Sequence, residues 1–191
     1  MKSTTIILAS KSPRRKELFE QIGVIPKIVV SEADENIDEK DPRELVKKLS
    51  SIKAEAVKNI INESGDYCVV GADTVVYANG RILGKPKDKD EARRMIEGLS
   101  GNVHSVFTGY TLIFKDGRKI TDFCETKVYV YEMTDEEIEE YISSDEPYDK
   151  AGAYGIQGLF GKYVEKIDGD YNNVVGLPVS RILHELNSFF A

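Results

Sequence analysis

Histidine and cysteine are scarce, with two of each in 191 residues. His104 and His184 make no zinc pair, and Cys68 and Cys124 stand too far apart for metal-binding or redox spacing. Cys68 falls in the apolar run YCVVGAD and Cys124 in a strand-like stretch. Both therefore read as buried thiols in a reducing compartment rather than as a disulfide. There is no G-x-S-x-G elbow and no Cys–His grouping, which argues against a covalent nucleophile. Basic residues are outnumbered, 26 against 33 acidic ones, for a net charge of −7. That balance disfavours a broad nucleic-acid surface, which needs a basic patch to neutralise phosphates. It leaves room for a small anion in a local basic pocket. The N-terminal apolar run Ile6–Ala9 is too short for a signal-peptide core, and no stretch approaches membrane-spanning length. No membrane partner is expected, and a cytoplasmic location is. Repeats, low-complexity tracts and linkers are also missing.

What is present is a hydrophobic fraction of 41% and a well-mixed charged fraction of 31%. Such a chain can bury a core and forms one domain over residues 1–191, built as two lobes. Residues 4–9 read as a buried strand. Ser12 then stands as a helix cap, with Pro13 at the first position, Gly23 as the stop, and Leu18 and Ile22 on the inner face. A second strand is expected over 27–31, followed by an acidic loop from Glu32. Asp41, Pro42 and Glu44 form an N-cap, a first-turn proline and a capping-box partner. They open a helix to about Glu63 with Leu45, Leu49, Ile52, Ala56 and Ile60 inward.

Tyr67–Ala72 is a strand entering GADT, and Val75–Tyr77 and Arg81–Leu83 flank the hairpin signal Asn79-Gly80. Asp88 with Glu91 opens a helix ending near Gly98. Val103–Phe114 and Lys119–Tyr131 are long strands joined at Asp116-Gly117. Thr134 and Glu137 make a capping box, Phe160–Ile167 is a strand, and Pro178 starts a closing helix with Ile182, Leu183 and Leu186 inward. Hairpins interrupt the β/α alternation, so a mixed rather than a fully parallel sheet is expected. The expected fold is α/β, a long twisted mixed sheet with helices on its faces and a cleft between two lobes.

Three segments carry chemistry: ASKSPRR (Ala9–Arg15), GADT (Gly71–Thr74) and DKAGAYGIQG (Asp149–Gly158). In the first, a strand-to-helix turn offers backbone amides at a positive helix end, hydroxyls from Ser10 and Ser12, and the fork-shaped donors of Arg14 and Arg15. Cations in a first turn oppose the helix dipole at a cost of about 0.3–1 kcal/mol each, which a bound anion offsets. In the second, Asp73 is either a cap for the following turn or a site residue at a strand end, where open α/β folds bind ligands. Two tempting motifs fail. Gly84-Lys85-Pro86 is no P-loop, because the Gly80–Gly84 spacing is one residue short and Pro86 occupies the Ser/Thr position. Asp168-Gly-Asp170-Tyr-Asn172 is no calcium loop, because Asn173 replaces the turn glycine and Val179 the bidentate Glu, so it reads as a tight turn.

ASKSPRRKELF, GADTVV, GKPKD, LSGNVHSVFTG, DEPYDKAGAYGIQG and IDGDYNNVVGLP occur in this order and span essentially the whole chain. The set resembles the Maf family of nucleoside triphosphate pyrophosphatases, also described as septum-formation-inhibitor-like proteins. The resemblance implies an elongated mixed sheet related to that of the inosine-triphosphate pyrophosphatases. It also implies a divalent cation, Mg2+ or Mn2+, release of pyrophosphate to leave the monophosphate, and a possible homodimer. Carried onto this sequence, it makes Asp73 the catalytic base and a metal ligand. Ser10, Ser12, Arg14 and Arg15 become the phosphate turn, and Lys53 and Lys85 phosphate contacts. Glu35 becomes the second acid near the metal, with Glu32 and Asp34 close enough to substitute. Arg14, Thr74 and Gln157 resemble the branch acting on dTTP and UTP. A second branch, acting on 7-methyl-GTP, typically carries Trp, Gln and Glu at those positions, and this chain departs at all three. A Gln amide offers one donor group and one acceptor, as a pyrimidine edge requires. A nucleotide-binding regulator of cell division is the alternative reading, though a pure anion binder gains nothing from the extra charge of Asp73.

Overall fold

The computed structural model describes residues 4–30 and 32–190. In chain order it contains β1 (Thr5–Ala9), α1 (Pro13–Gln21), β2 (Lys27–Ile28), α2 (Pro42–Ile60), β3 (Tyr67–Ala78), β4 (Arg81–Leu83), α3 (Lys89–Leu99) and β5 (Val103–Phe114). β6 (Lys119–Val130), α4 (Asp135–Ile142), β7 (Val164–Asp168), α5 (Tyr171–Val175) and α6 (Val179–Phe190) follow, with three short 3₁₀ turns between α4 and β7. The strands form one sheet in the order β2-β1-β3-β5-β6-β7, with β4 also on β3. β1 runs parallel to β2 and to β3, whereas β3–β4 and β6–β7 are antiparallel. The sheet is therefore mixed, as the hairpin signals require.

The chain divides into two compact units. One comprises Met1–Asp73, Thr108–Cys124 and Gly176–Ala191, the other Thr74–Phe107 and Glu125–Val175. The first has a core that includes Ile7, Ala9, Ala54, Val57, Val69 and Ile113. The second packs α3 and α4, through Ile96, Leu99, Ile138 and Ile142, against strand residues such as Val76, Val106 and Val128.

The local signals fold as their chemistry dictates. Asn79 and Gly80 both take positive φ, 51° and 74°, the backbone of a two-residue hairpin. Gly23, at φ 79°, ends α1, with its N–H donating to the Glu20 carbonyl at 3.0 Å. Asp88 accepts from the Glu91 N–H at 2.7 Å. Thr134 and Glu137 close a reciprocal capping box, with Thr134 Oγ1 accepting from the Glu137 N–H at 3.3 Å and Glu137 Oε2 from the Thr134 N–H at 2.9 Å. Thr134→Ala should therefore cost about 1 kcal/mol of stability, read as a lowered urea midpoint. An unchanged midpoint would show that α4 is held by packing alone.

Several expectations are corrected. β2 is only Lys27–Ile28, and Ser31 of the expected strand lies outside the described residues. On α1 the second buried residue is Phe19, while Ile22 is 38% exposed, because the helix ends at Gln21 and Ile22 is its C-cap, off the helical face. Glu44 pairs with Lys47 at 2.5 Å, and Glu39 instead accepts the Asp41 N–H at 3.1 Å. The buried stripe of α2 is Val46, Leu49, Ser50, Ala54 and Val57, rotated from the expected face, and Ile60 is exposed. Phe160–Tyr163 is 3₁₀ rather than strand, and residues 171–175 add the short helix α5 after the turn at Asp168–Asp170. Cys68 is buried, which pushes its thiol up to about 12, but Cys124 is only half-buried. His104 is buried, with Nε2 2.7 Å from the Tyr154 hydroxyl. Among the described residues no helix is long and apolar enough to cross a membrane.

Candidate active site

The site begins where β1 stops. The last β1–β3 register pair is Ala9 with Gly71, so Ser10 and Ala72 leave the ladder at the same level. Ser10 is buried, and its Oγ accepts from the Ser12 N–H at 3.2 Å. Arg15 reaches back from α1 into the same corner. Its Nη1 donates to Ser10 Oγ at 3.2 Å and to the Ala72 carbonyl at 3.0 Å, and its Nε donates to the Gly176 carbonyl at 2.8 Å. One planar guanidinium thus ties three segments together, a task that suits its rigid fork better than a lysine's point charge. Burial pulls the Arg15 pKa below its ordinary value, Asp73 opposes that fall, Arg14 adds to it, and Glu35 opposes it.

Ser12 occupies the N-cap position of α1, but its side chain makes no capping bond, contrary to expectation. The Ser10 hydroxyl does the local work by holding the Ser12 amide. No acidic residue lies in the first turn of α1, so none of its own carboxylates compensates the positive helix end there.

Asp73 is not at a strand end. β3 runs through it without a break to Ala78, because residues 76–78 pair with β4. It is β1 that ends, so Asp73 stands just past the last β1 partner on a continuing strand. Lys53 Nζ lies 2.6 Å from Asp73 Oδ1 and 2.9 Å from Glu35 Oε2. The side chains of Lys53 and Asp73 are only 12% and 14% exposed, so this pair is far better shielded than an ordinary surface bridge. Asp34 is occupied elsewhere, its Oδ1 accepting the Asn36 N–H at 2.9 Å in a local turn. That separates Glu35 from its neighbour as the acid of the acidic loop that meets Lys53.

Lys53 reaches Asp73 because α2 lies against the sheet backbone to backbone. A Cβ on Gly71 would fall 2.8 Å from the Ala54 amide nitrogen and closer still to the Ser50 carbonyl oxygen. A Cβ on Gly109 would fall 2.8 Å from the Lys47 amide nitrogen and overlap the Val46 carbonyl. The first unit therefore holds two contact groups, Ser10 with Arg15 and Lys53 with Asp73 and Glu35, joined where Arg15 grips the Ala72 carbonyl next to Asp73, with Ser12 and Arg14 in the same turn as Ser10. In the second unit, Thr74 follows in β3, Lys85 is exposed after β4, and Gln157 is exposed in the turn before Leu159–Tyr163.

A family model described as Maf-like protein matches residues 5–189. The chain belongs to the Maf family. Maf-family relatives named dTTP/UTP pyrophosphatase are similar over nearly their whole length. One from Agathobacter rectalis is 50% identical, covering 95% of each chain. One from Thermoanaerobacter sp. (strain X514) is 48% identical over 97% of this chain and 96% of its own. One from Bacillus thuringiensis subsp. konkukian is 49% identical over 96% and 95%. Among solved structures, the Ham1 protein of Staphylococcus aureus matches at 13% identity and a TM-score of 0.47, covering 66% of this chain and 72% of that one.

The partners of Arg15 and the role of Gly71 were not foreseen from sequence. A glycine inside the apolar run YCVVGAD is the signal that points to Gly71, since glycine within a strand marks a close backbone approach. No comparable signal identifies the carbonyls of Ala72 and Gly176.

Proposed function

We propose that this Maf-family protein hydrolyses dTTP and UTP to the nucleoside monophosphate and pyrophosphate, by attack of water at the α-phosphorus. The observation that carries the reading is a shielded carboxylate, Asp73, fixed by Lys53 one residue past the carbonyl that Arg15 holds. Lys53 engages Oδ1, so Oδ2 is the oxygen assigned to orient and deprotonate the water. The α1 turn with Ser10, Ser12 and Arg14 takes the phosphates, and Arg15 keeps the turn in register with β3; for Lys85 the family resemblance implies a phosphate contact. Thr74 and Gln157, with Arg14, take the roles in base selection that the family resemblance implies. The names of the relatives above support the substrate class.

Among the described residues no group of three or more His, Cys, Asp or Glu side chains is placed to cage a metal. Asp73 and Glu35 offer hard carboxylate oxygens converging on one ammonium. Such a pair fits Mg2+ or Mn2+, which are bound through one or two carboxylates and completed by substrate phosphates. When bound, such a cation neutralises phosphate charge and lowers the pKa of water. Pyrophosphate release measured across nucleotides should be highest with dTTP and UTP. It should fall to background in EDTA and return with Mg2+ or Mn2+. Tight nucleotide binding without release from any triphosphate would overturn the enzyme reading in favour of a regulator.

A further inference from the structure

We propose that Glu146 is a positioning residue for base selection, because its carboxylate fixes the turn that presents Gln157. The inference rests on the reading of Gln157 as a base contact. Residues Gly155–Gly158 form a tight turn closed by the Gly158 N–H donating to the Gly155 carbonyl at 3.2 Å, with Gln157 exposed in it. Glu146 lies in the 3₁₀ turn Glu146–Asp149. Its Oε2 accepts the Leu159 N–H at 2.6 Å, and its Oε1 accepts the Phe160 N–H at 3.4 Å and the Tyr141 hydroxyl at 3.1 Å. These amides open the short helix Leu159–Tyr163 and have no helical partner of their own. A carboxylate, which only accepts and has two oxygens, matches two successive N–H donors.

Lys150, tied to the backbone of Glu146, braces the other flank. Lys150 Nζ donates to the Glu146 carbonyl at 2.7 Å, and a Cβ on Gly155 would meet Lys150 Cε at 2.8 Å. A Cβ on Gly158 would overlap the Glu146 carboxylate, so glycine there leaves room for that side chain to sit against the turn. Beyond the turn, Phe160 is fully buried among Tyr141, Tyr154 and Tyr163, with ring centroids 5.2, 4.7 and 5.8 Å away. The flanks are thus pinned and the exposed residue between them is Gln157. A side chain that selects a base by hydrogen bonds discriminates only if its amide is held at a fixed angle.

The test is the ratio of kcat/KM for dTTP to that for GTP in wild type, Glu146→Gln, Gln157→Ala and the double variant. Glu146→Gln keeps the shape but replaces one acceptor oxygen with a donor facing the amides. It should lower the ratio by about tenfold, and so should Gln157→Ala. The double variant should be no less selective than Gln157→Ala alone, since residues acting through one another are not additive. Leu159→Pro reaches the same contact from the backbone. It deletes the N–H that Glu146 accepts, at an exposed first helical position where proline is tolerated. It should reproduce the loss, and it decides the matter if Glu146→Gln does not fold. A wild-type ratio in Gln157→Ala would refute the base-contact reading and this proposal together. A lowered ratio in Gln157→Ala, with wild-type ratios in Glu146→Gln and Leu159→Pro or with additive losses in the double variant, would refute the positioning role alone.

Discussion

Asp73→Asn should lower kcat for dTTP by about 10²–10⁴-fold, the range that a positioned general base contributes, while nucleotide binding changes far less. Asn has nearly the same shape and retains one carbonyl oxygen to accept from Lys53 at the place where Oδ1 sits 2.6 Å away. Lys53 also keeps Glu35 at 2.9 Å, so its charge is not left unpaired. The fold and the phosphate turn should therefore survive, and what disappears is the negative charge and the capacity to take a proton. Near-wild-type turnover in this variant would reject Asp73 as the base. Raising Mg2+ or Mn2+ separates the two roles of the carboxylate. Activity that stays low at saturating cation supports the base. Activity restored by excess cation would show that Asp73 acts chiefly as a ligand.

The parts of this structure legible in the sequence are those decided within a few residues. Asn79-Gly80, the Asp88 cap and the Thr134–Glu137 box are local agreements between side chain and backbone, and each folds as read. The parts that were not legible are decided by contacts between distant segments. Periodicity placed Leu45, Ile52 and Ala56 inward on α2, but the helix rolls so that its backbone meets Gly71 and Gly109, and Val46, Ala54 and Val57 take the buried positions. The same roll brings Lys53, which only the family resemblance singles out in the sequence, to Asp73. Glu35 is named by the family resemblance with Asp34 close enough to substitute, and a local turn engages Asp34 while Glu35 meets Lys53. Arg14 and Arg15 looked alike as phosphate donors. The structure adds to Arg15 bonds to the hydroxyl of Ser10 and to two carbonyls, one from 57 and one from 161 positions away.

The contact between α2 and β3 makes a second strong prediction. Gly71→Ala should destabilise the protein by about 1–3 kcal/mol or more, the cost of forcing a methyl group into a filled core. The added Cβ would lie 2.9 Å from Ala54 Cβ and 2.8 Å from Ala54 N, and closer still to the Ser50 carbonyl oxygen. Two of those three atoms are helix backbone, so no side-chain rotation relieves the clash and α2 must move away from the sheet. Lys53 rides on that turn of α2, between Ser50 and Ala54, and would be carried off Asp73. Stability and turnover should consequently fall together, which distinguishes this variant from Asp73→Asn, where turnover falls alone. Gly65→Ala is the control, because a Cβ there meets nothing within 4 Å and the backbone φ is not positive. It should be neutral or stabilising by about 0.4–1 kcal/mol through the unfolded chain. Urea midpoints of the two variants measured side by side decide the matter. If Gly71→Ala unfolds at the wild-type midpoint with full activity, the close approach of α2 is not what holds Lys53 in place.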